Sequence, residues 1–247
     1  MRHLWRGCIT TLGLLMLWQL AVWLFALPPY ILPGPLLVIK TWWLAKSLIA
    51  QQSLITISET LLGLVIGSLL GCIAALILVL FRPARLWLLP ILIISQAIPT
   101  FAIAPLLVVW FGYGIGSKVV TAMIMLFFPV TTAFFDGLRR TDKDWLDLAH
   151  VMGANSWRCL WHIRLPAALP ALGSGLRVAA AIAPIGAIIG EWVGASRGLG
   201  FLLLNANARM QIDMMFAVLL SITVFTLVLY YSVDKVLRYT IPWGEIQ

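Results

Sequence analysis

A chain of 247 residues that is 62% hydrophobic and only 11% charged, with a mean hydropathy of +1.01, is not a soluble globular domain. Such domains hold roughly half apolar and about a quarter charged residues. β-Barrel patterning is absent, so the expected fold is all-α: a polytopic membrane protein whose spans are helices. The net charge of +8 is read as the Lys and Arg enrichment of cytoplasmic loops rather than as a nucleic-acid footprint, so no nucleic-acid partner is expected. Cys8, Cys72 and Cys159 show neither a CxxC nor a His at ligand spacing, which argues against a disulfide framework, a metal site or a cofactor site built on them.

The spacing predicts about six spans within a single transmembrane domain, residues 1–247. Arg2 and Arg6 precede an apolar run over 8–27, long enough to cross a bilayer. It is longer than the apolar region of a cleaved leader and ends in Leu27, Pro28 and Pro29, so it is taken as a retained first span. A proline cluster follows, then a helix around Trp42 and Trp43 expected to lie against the membrane interface. The second span, 54–81, carries Gly63, Gly67 and Gly71 at four-residue intervals, a face built for close helix packing. Glu59 near its start is expected to reach the interface.

The third span, 86–111, contains Pro99 and Pro105, each able to kink it, with Ser95, Gln96 and Thr100 as its polar groups. Gly112, Gly114 and Gly116 mark a turn, since no strand precedes them to make a nucleotide loop. The remaining spans are 119–135, 171–193 and 214–231. Arg177 and Glu191 lie on one helix, 14 positions and roughly 21 Å apart, too far to pair with each other. Interfacial snorkelling or a helix-to-helix partner is the reading preferred for them and for Glu59.

Between the fourth and fifth spans stands the longest polar segment, 139–170. Thr141 is placed to cap a helix, with Asp144 at capping-box spacing. Trp145, Leu148, Ala149 and Met152 then recur at i, i+3, i+4 and i+7, one apolar stripe. Gly153 stops that helix, Asn155 or Ser156 starts a second, and Leu165–Pro166 ends it. Six spans put both termini on one side. That side holds Arg2, Arg6, Arg82, Arg85, Arg139, Arg140, Lys143, Arg158, Arg164, Lys235 and Arg238, against Lys40, Lys46, Lys118, Arg197 and Arg209 on the other. The positive-inside rule therefore predicts cytoplasmic termini and a cytoplasmic two-helix loop.

Reactive chemistry is missing. No Walker-type G-x-x-x-x-G-K-[ST] occurs, His3, His150 and His162 are scattered, and no nucleophile–base–orienter set can be assembled. Nor are there repeated mid-span acids of the kind a proton-coupled carrier needs. With no inverted repeat and only six helices, the pathway is expected between two copies of the chain, with the energy source in another subunit.

The run DLAHVMGANSWRCLWHIRLP, Asp147 to Pro166, resembles the E-A-A-x-x-x-G-x(9)-I-x-L-P loop of permease subunits of bacterial ABC importers. Ala149, Gly153, Ile163, Leu165 and Pro166 stand where the pattern expects them, while Asp147 replaces Glu and Leu148 the first Ala. LPGP at 32–35, Ile98–Pro99, WFG at 110–112, EWVG at 191–194 and GLG at 198–200 extend the likeness to one branch. That branch includes taurine, alkanesulfonate, nitrate and thiamine-precursor importers.

The resemblance implies that 139–170 is a coupling loop gripping an ATP-binding subunit, with Trp145, Asp147, Leu148, Ala149, Met152, Gly153, Ala154, Ile163, Leu165 and Pro166 at the contact. A stripe lying on the membrane surface is the generic rival. It implies a homodimer in the bacterial inner membrane, two ATP-binding subunits, an extracytoplasmic substrate-binding protein and a small-molecule substrate, with no ATPase activity and no cofactor in this chain. Ser95, Gln96, Pro99, Thr100 and Glu191 are candidates for the translocation path; ordinary interhelical hydrogen bonding is the rival for Ser95, Gln96 and Thr100. AAIAPIGAIIGEWVGA, 180–195, and NANARMQ, 205–211, look most like permeases for hydroxymethylpyrimidine, a thiamine precursor.

Overall fold

The glycine row at 63, 67 and 71 organises the bundle. In the computed structural model, which describes residues 2–244, it lies on α3 (Lys46–Leu80) and faces α6 (Ile115–Arg139). A Cβ on Gly63 would stand 2.5 Å from Ala122 Cβ, and one on Gly67 3.0 Å from the Met123 oxygen. A Cβ on Gly71 would stand 3.0 Å from the Phe127 oxygen. Without side chains on that row the two backbones approach closely, as the four-residue spacing predicts. The side chains of residues 2–8, Thr11 and Arg82 lie outside the described residues, so Arg2, Arg6, Arg82 and Cys8 receive no structural account.

Since Gly63 meets Ala122 and Gly71 meets Val130, α3 and α6 run parallel. The long helix α9 (Leu165–Gly194) runs back: Gly175 meets Pro129 and Ala133, whereas Gly190 meets Lys118. Parallel α3 and α6 require the chain between them to travel from one end of the bundle to the other. It does so through α4 (Arg82–Ala97) and α5 (Thr100–Phe111), bent by 101° at Ile98–Pro99. The single kinked third span expected from sequence is therefore a broken pair. Pro99 is the residue before α5, with extended ψ at Ile98 and Pro99, because the residue before a proline is driven out of the α region.

Among the described residues, four helices are long and apolar enough to cross a membrane: α3, α6, a 39-residue helical stretch from Ser156 to Gly194, and α11 (Ile212–Thr240). The broken pair brings the number to five when its two helices count as one span, and α1 (Arg2–Leu24) stands at the edge with an apolar described stretch over Leu12–Leu24. The architecture is all-helical and polytopic, as expected.

Three apolar clusters stack along the bundle. Leu64, Leu126, Val130, Ala179 and Ala183 fill its middle. Leu78, Phe134, Phe135, Leu138 and Leu160 fill the end that carries the polar loop. Val38, Ile49, Leu199 and Val218 fill the opposite end, which holds α2 (Pro35–Leu44) and α10 (Leu199–Ala208). The Trp pair of α2 splits: Trp42 donates its indole N–H to Ser221 at 2.9 Å, while Trp43 stays exposed under Lys46. Thr41, which donates to Asp213 at 2.8 Å, pins the same helix to the start of α11. This helix is thus docked on the bundle, where the sequence predicted only an interfacial one.

Candidate functional site

The loop between α6 and α9 folds as two short helices with a glycine elbow, but its caps differ from those expected. Thr141 is buried and turns its hydroxyl back to the Leu138 carbonyl at 3.3 Å. The cap of α7 (Lys143–Val151) is Asp142, whose Oδ1 accepts from the Asp144 N–H at 3.0 Å. At the far end Ala154 N–H donates to Ala149 O and Gly153 N–H to His150 O, both at 2.9 Å, with Gly153 at φ +80°. This is a Schellman stop, and it requires glycine for its backbone. A Cβ at Gly153 would meet nothing within 4 Å in this chain, so no neighbour within the permease demands the glycine.

Asn155 then caps α8 (Ser156–Cys159), accepting from the Arg158 N–H at 2.8 Å. The expected stop at Leu165–Pro166 does not occur. A π turn over Leu160–Arg164, closed by Leu165 N–H on Leu160 O, carries the helix through Pro166 into α9. A proline ring in an unbroken α-helix presses on the carbonyl four residues back, here that of His162; the wider π turn just before it relieves that pressure.

The apolar stripe emerges on one side of this arrangement. Trp145, Leu148 and Met152 are 57%, 60% and 79% exposed, and Ala149 is buried beneath them. With Ile163 and Pro166 they line a groove of 590 Å³ completed by His162, Ala167, Pro170 and Trp243. Six of the ten predicted contact residues therefore converge. Asp147 and Gly153 are exposed beside the groove, and Ala154 and Leu165 are half-buried, Leu165 against the apolar cluster below the loop. Periodicity missed Trp243, which lies far along the sequence, and the exposed edge-to-face pair Trp157–Trp161, with centroids 5.7 Å apart.

At the opposite end a second polar assembly is closed rather than open. Glu191, 1% exposed, accepts from Thr56 Oγ1 and from the Gly200 N–H, both at 2.5 Å. Thr56 in turn accepts from Leu199 N–H at 2.8 Å, and Gln52 Oε1 accepts from Gly198 N–H at 2.6 Å. The first N–H groups of α10 are thus capped by side chains from α3 and α9. Glu59 lies against Glu191, 4% exposed, where the sequence placed it at the interface. Lys118, counted as a loop cation, is 1% exposed and donates to the carbonyls of Tyr113 at 2.8 Å and Gly194 at 2.7 Å. Removing Lys118 from the free charges leaves four basic residues on that face. Arg177 has the helix-to-helix partner expected of it, Asp234 at 2.6 Å.

The remaining path candidates gather at the α4–α5 break. Ser95, Gln96 and Pro99 are exposed and Thr100 half-buried, with the Ser95 hydroxyl returned to the Leu92 carbonyl at 2.7 Å. Glu191 stands apart from them, on another helix, with its carboxylate engaged inside the protomer.

The fold and the open loop define a polytopic helical membrane protein with an exposed two-helix loop on one face. The chain belongs to the family of binding-protein-dependent transport system inner membrane components, whose model it matches over residues 67–243. It is an ABC transporter permease subunit, multi-pass in the inner membrane. It is 52% identical over 225 residues to a probable ABC transporter permease protein of Haemophilus influenzae, covering 91% of this chain and 92% of the relative. A riboflavin transport system permease protein of Chloroflexus aurantiacus is 35% identical, covering 95% of this chain and 88% of the relative. A formylaminopyrimidine transport permease protein of Halalkalibacterium halodurans is 31% identical, covering 96% and 94%. Further relatives are named for aliphatic sulfonates and taurine. A chain of the MetNI methionine ABC transporter shares the fold, with a TM-score of 0.69 at 19% identity over 78% of this chain and 96% of that one.

Proposed function

We propose that this permease works as a homodimer with two ATP-binding subunits on its cytoplasmic face and an extracytoplasmic solute-binding protein. The loop 139–170 is the contact with the ATP-binding subunit. The observation that carries this reading is the groove: three large apolar side chains, Trp145, Leu148 and Met152, stand more than half exposed around a cavity on the longest polar segment. The paired caps and the Schellman elbow hold the stripe in one orientation along the groove, which supports a protein partner over the membrane surface. ATP binding closes the two nucleotide subunits, draws the two loops together and opens the spans outward. ATP hydrolysis then belongs to the partner subunits. The contact of Trp243 with the loop root supports a C-terminus on the loop's face, and the excess of basic residues there supports a cytoplasmic assignment for it. With α1 as a sixth passage, the N-terminus lies on the same side.

The α4–α5 break supplies the path between the two copies, where Ser95, Gln96, Pro99 and Thr100 are grouped. The solute is a small polar molecule of the thiamine-precursor class, hydroxymethylpyrimidine being the candidate. The name of the formylaminopyrimidine permease supports that class, while riboflavin, sulfonates and taurine are the rivals that other relatives' names raise. Competition of these compounds for the solute-binding protein decides among them.

Replacing Gly153 by Leu tests the loop. The variant is expected to lose co-purification with the ATP-binding subunit and ATP-driven uptake. Both surviving unchanged would remove the docking assignment, and uptake by vesicles lacking the ATP-binding subunit would favour a secondary carrier.

A further inference from the structure

The first turns of α9 contain Pro166 and Pro170, four residues apart. Pro170 has no N–H, so the Pro166 carbonyl cannot receive the hydrogen bond that an α-helix normally supplies from four residues on. The donor comes from the other end of the chain. Trp243 points its indole Nε1–H at the Pro166 oxygen, 3.2 Å away and 77 positions along the sequence. A second contact holds the same segment down: a Cβ on Gly244 would stand 3.0 Å from the Pro170 Cγ. Trp243 also shares the groove with Trp145 and Met152.

We infer that Trp243 is a positioning residue for coupling, supplying the hydrogen bond that Pro170 withholds and tying the end of α11 to the turn where the loop enters α9. The inference rests on the reading of the loop as the ATPase contact. With the bond in place, a displacement of the elbow reaches α9 and α11 together. Without it, the Pro166 carbonyl turns to water, the first turn of α9 loosens, and the displacement is taken up there. Coupling between sites is reciprocal in binding free energy, so a loop that passes nucleotide-driven closure outward also passes solute-binding-protein docking inward, as a change in nucleotide affinity.

The chemistry offers its own repair. Trp243→Phe keeps an aromatic wall and deletes the donor, while Pro170→Ala restores a backbone N–H four residues after Pro166. Full-length permease is purified alone and with its ATP-binding and solute-binding subunits. Amide exchange over 165–172 is followed in the permease alone, and the affinity of the complex for a non-hydrolysable ATP analogue is measured with and without the solute-binding protein. Trp243→Phe is expected to speed exchange several-fold and to shrink the solute-binding-protein effect on nucleotide affinity. The double variant Trp243→Phe/Pro170→Ala is expected to return exchange towards the wild type, because the restored N–H rebuilds the turn, while the lost tie to α11 leaves the solute-binding-protein effect reduced. A Trp243→Phe protein with wild-type exchange and wild-type coupling overturns the inference alone, as does an exchange defect that Pro170→Ala leaves in place. Wild-type permease that takes up no ATP-binding subunit overturns the coupling reading, and the inference with it.

Discussion

The two ends of this bundle treat polar and apolar groups in opposite ways. At the α10 end, Glu191, Thr56, Gln52 and Lys118 are drawn inside and joined to backbone groups of the same chain. At the loop end, α7 and α8 are capped by their own Asp142 and Asn155, and Trp145, Leu148, Val151 and Met152 are left facing outward. One end is finished within the protomer, and the other leaves apolar area open. A contiguous exposed apolar patch marks an interaction site, which is why the loop is proposed as the partner contact.

That contrast can be broken at several places. The largest effect is expected from Glu191→Ala, which strips acceptors from Thr56 Oγ1 and the Gly200 N–H in a site without water access. Leaving buried donors unpaired costs about 1–3 kcal/mol each, so the variant should melt well below the wild type in detergent. An unchanged melting temperature would mean that the α10 end is not held by this carboxylate. Next comes Gly67→Leu: its Cβ alone would press within 3.0 Å of the Met123 oxygen, and overpacking of this kind costs about 1–3 kcal/mol. Separation of α3 from α6 should then appear as faster proteolysis of the whole bundle, with loss of co-purified ATP-binding subunit only in proportion to the unfolded fraction.

Asp142→Ala removes the α7 cap and should cost about 1 kcal/mol, visible as local amide exchange over residues 143–149 with little change in global melting. The smallest effect on stability belongs to Leu148→Asp. Its side chain is exposed, so the permease alone should melt within about 0.5 kcal/mol of the wild type. In a pull-down, however, a buried hot-spot residue of this kind is worth about 2 kcal/mol or more, and binding of the ATP-binding subunit should fall sharply. If Leu148→Asp destabilises the isolated chain instead, the groove is part of the permease's own core, and the distinction between the two ends dissolves.

Local signals were the ones legible in the sequence. Gly63, Gly67 and Gly71 advertise a close helix contact because a four-residue interval can serve little else on one face. Gly153 and Asn155 announce a stop and a start because their roles depend on backbone geometry within one turn. Failures came where two local options competed or a distant partner decided. Thr141 and Asp142 are both competent caps, and the choice fell to Asp142 because Thr141's hydroxyl is taken by Leu138. Pro166 reads as a stop unless the π turn before it is known. Lys118 and Glu59 read as interfacial charges because the groups that surround them come from α9 and the segments flanking α5 and α10. Of the groove, the stripe was legible and its far wall, Trp243, was not, since the bond that places it spans 77 positions.

The uninterrupted helical stretch from Ser156 to Gly194 joins these two ends directly. At 1.5 Å per residue its 39 residues span roughly 58 Å, so a tilt of about 5° around its midpoint swings each tip by about 2.5 Å, in opposite directions. Its middle turns press closely on α6 at Gly175 and Gly186, against Ala133 and Ala122, so that contact is where a rigid tilt would pivot. Under the proposed coupling role, a push on the loop next to Ser156 would tilt this beam and reach its other tip, where Glu191 holds α3 through Thr56 and α10 through the Gly200 N–H.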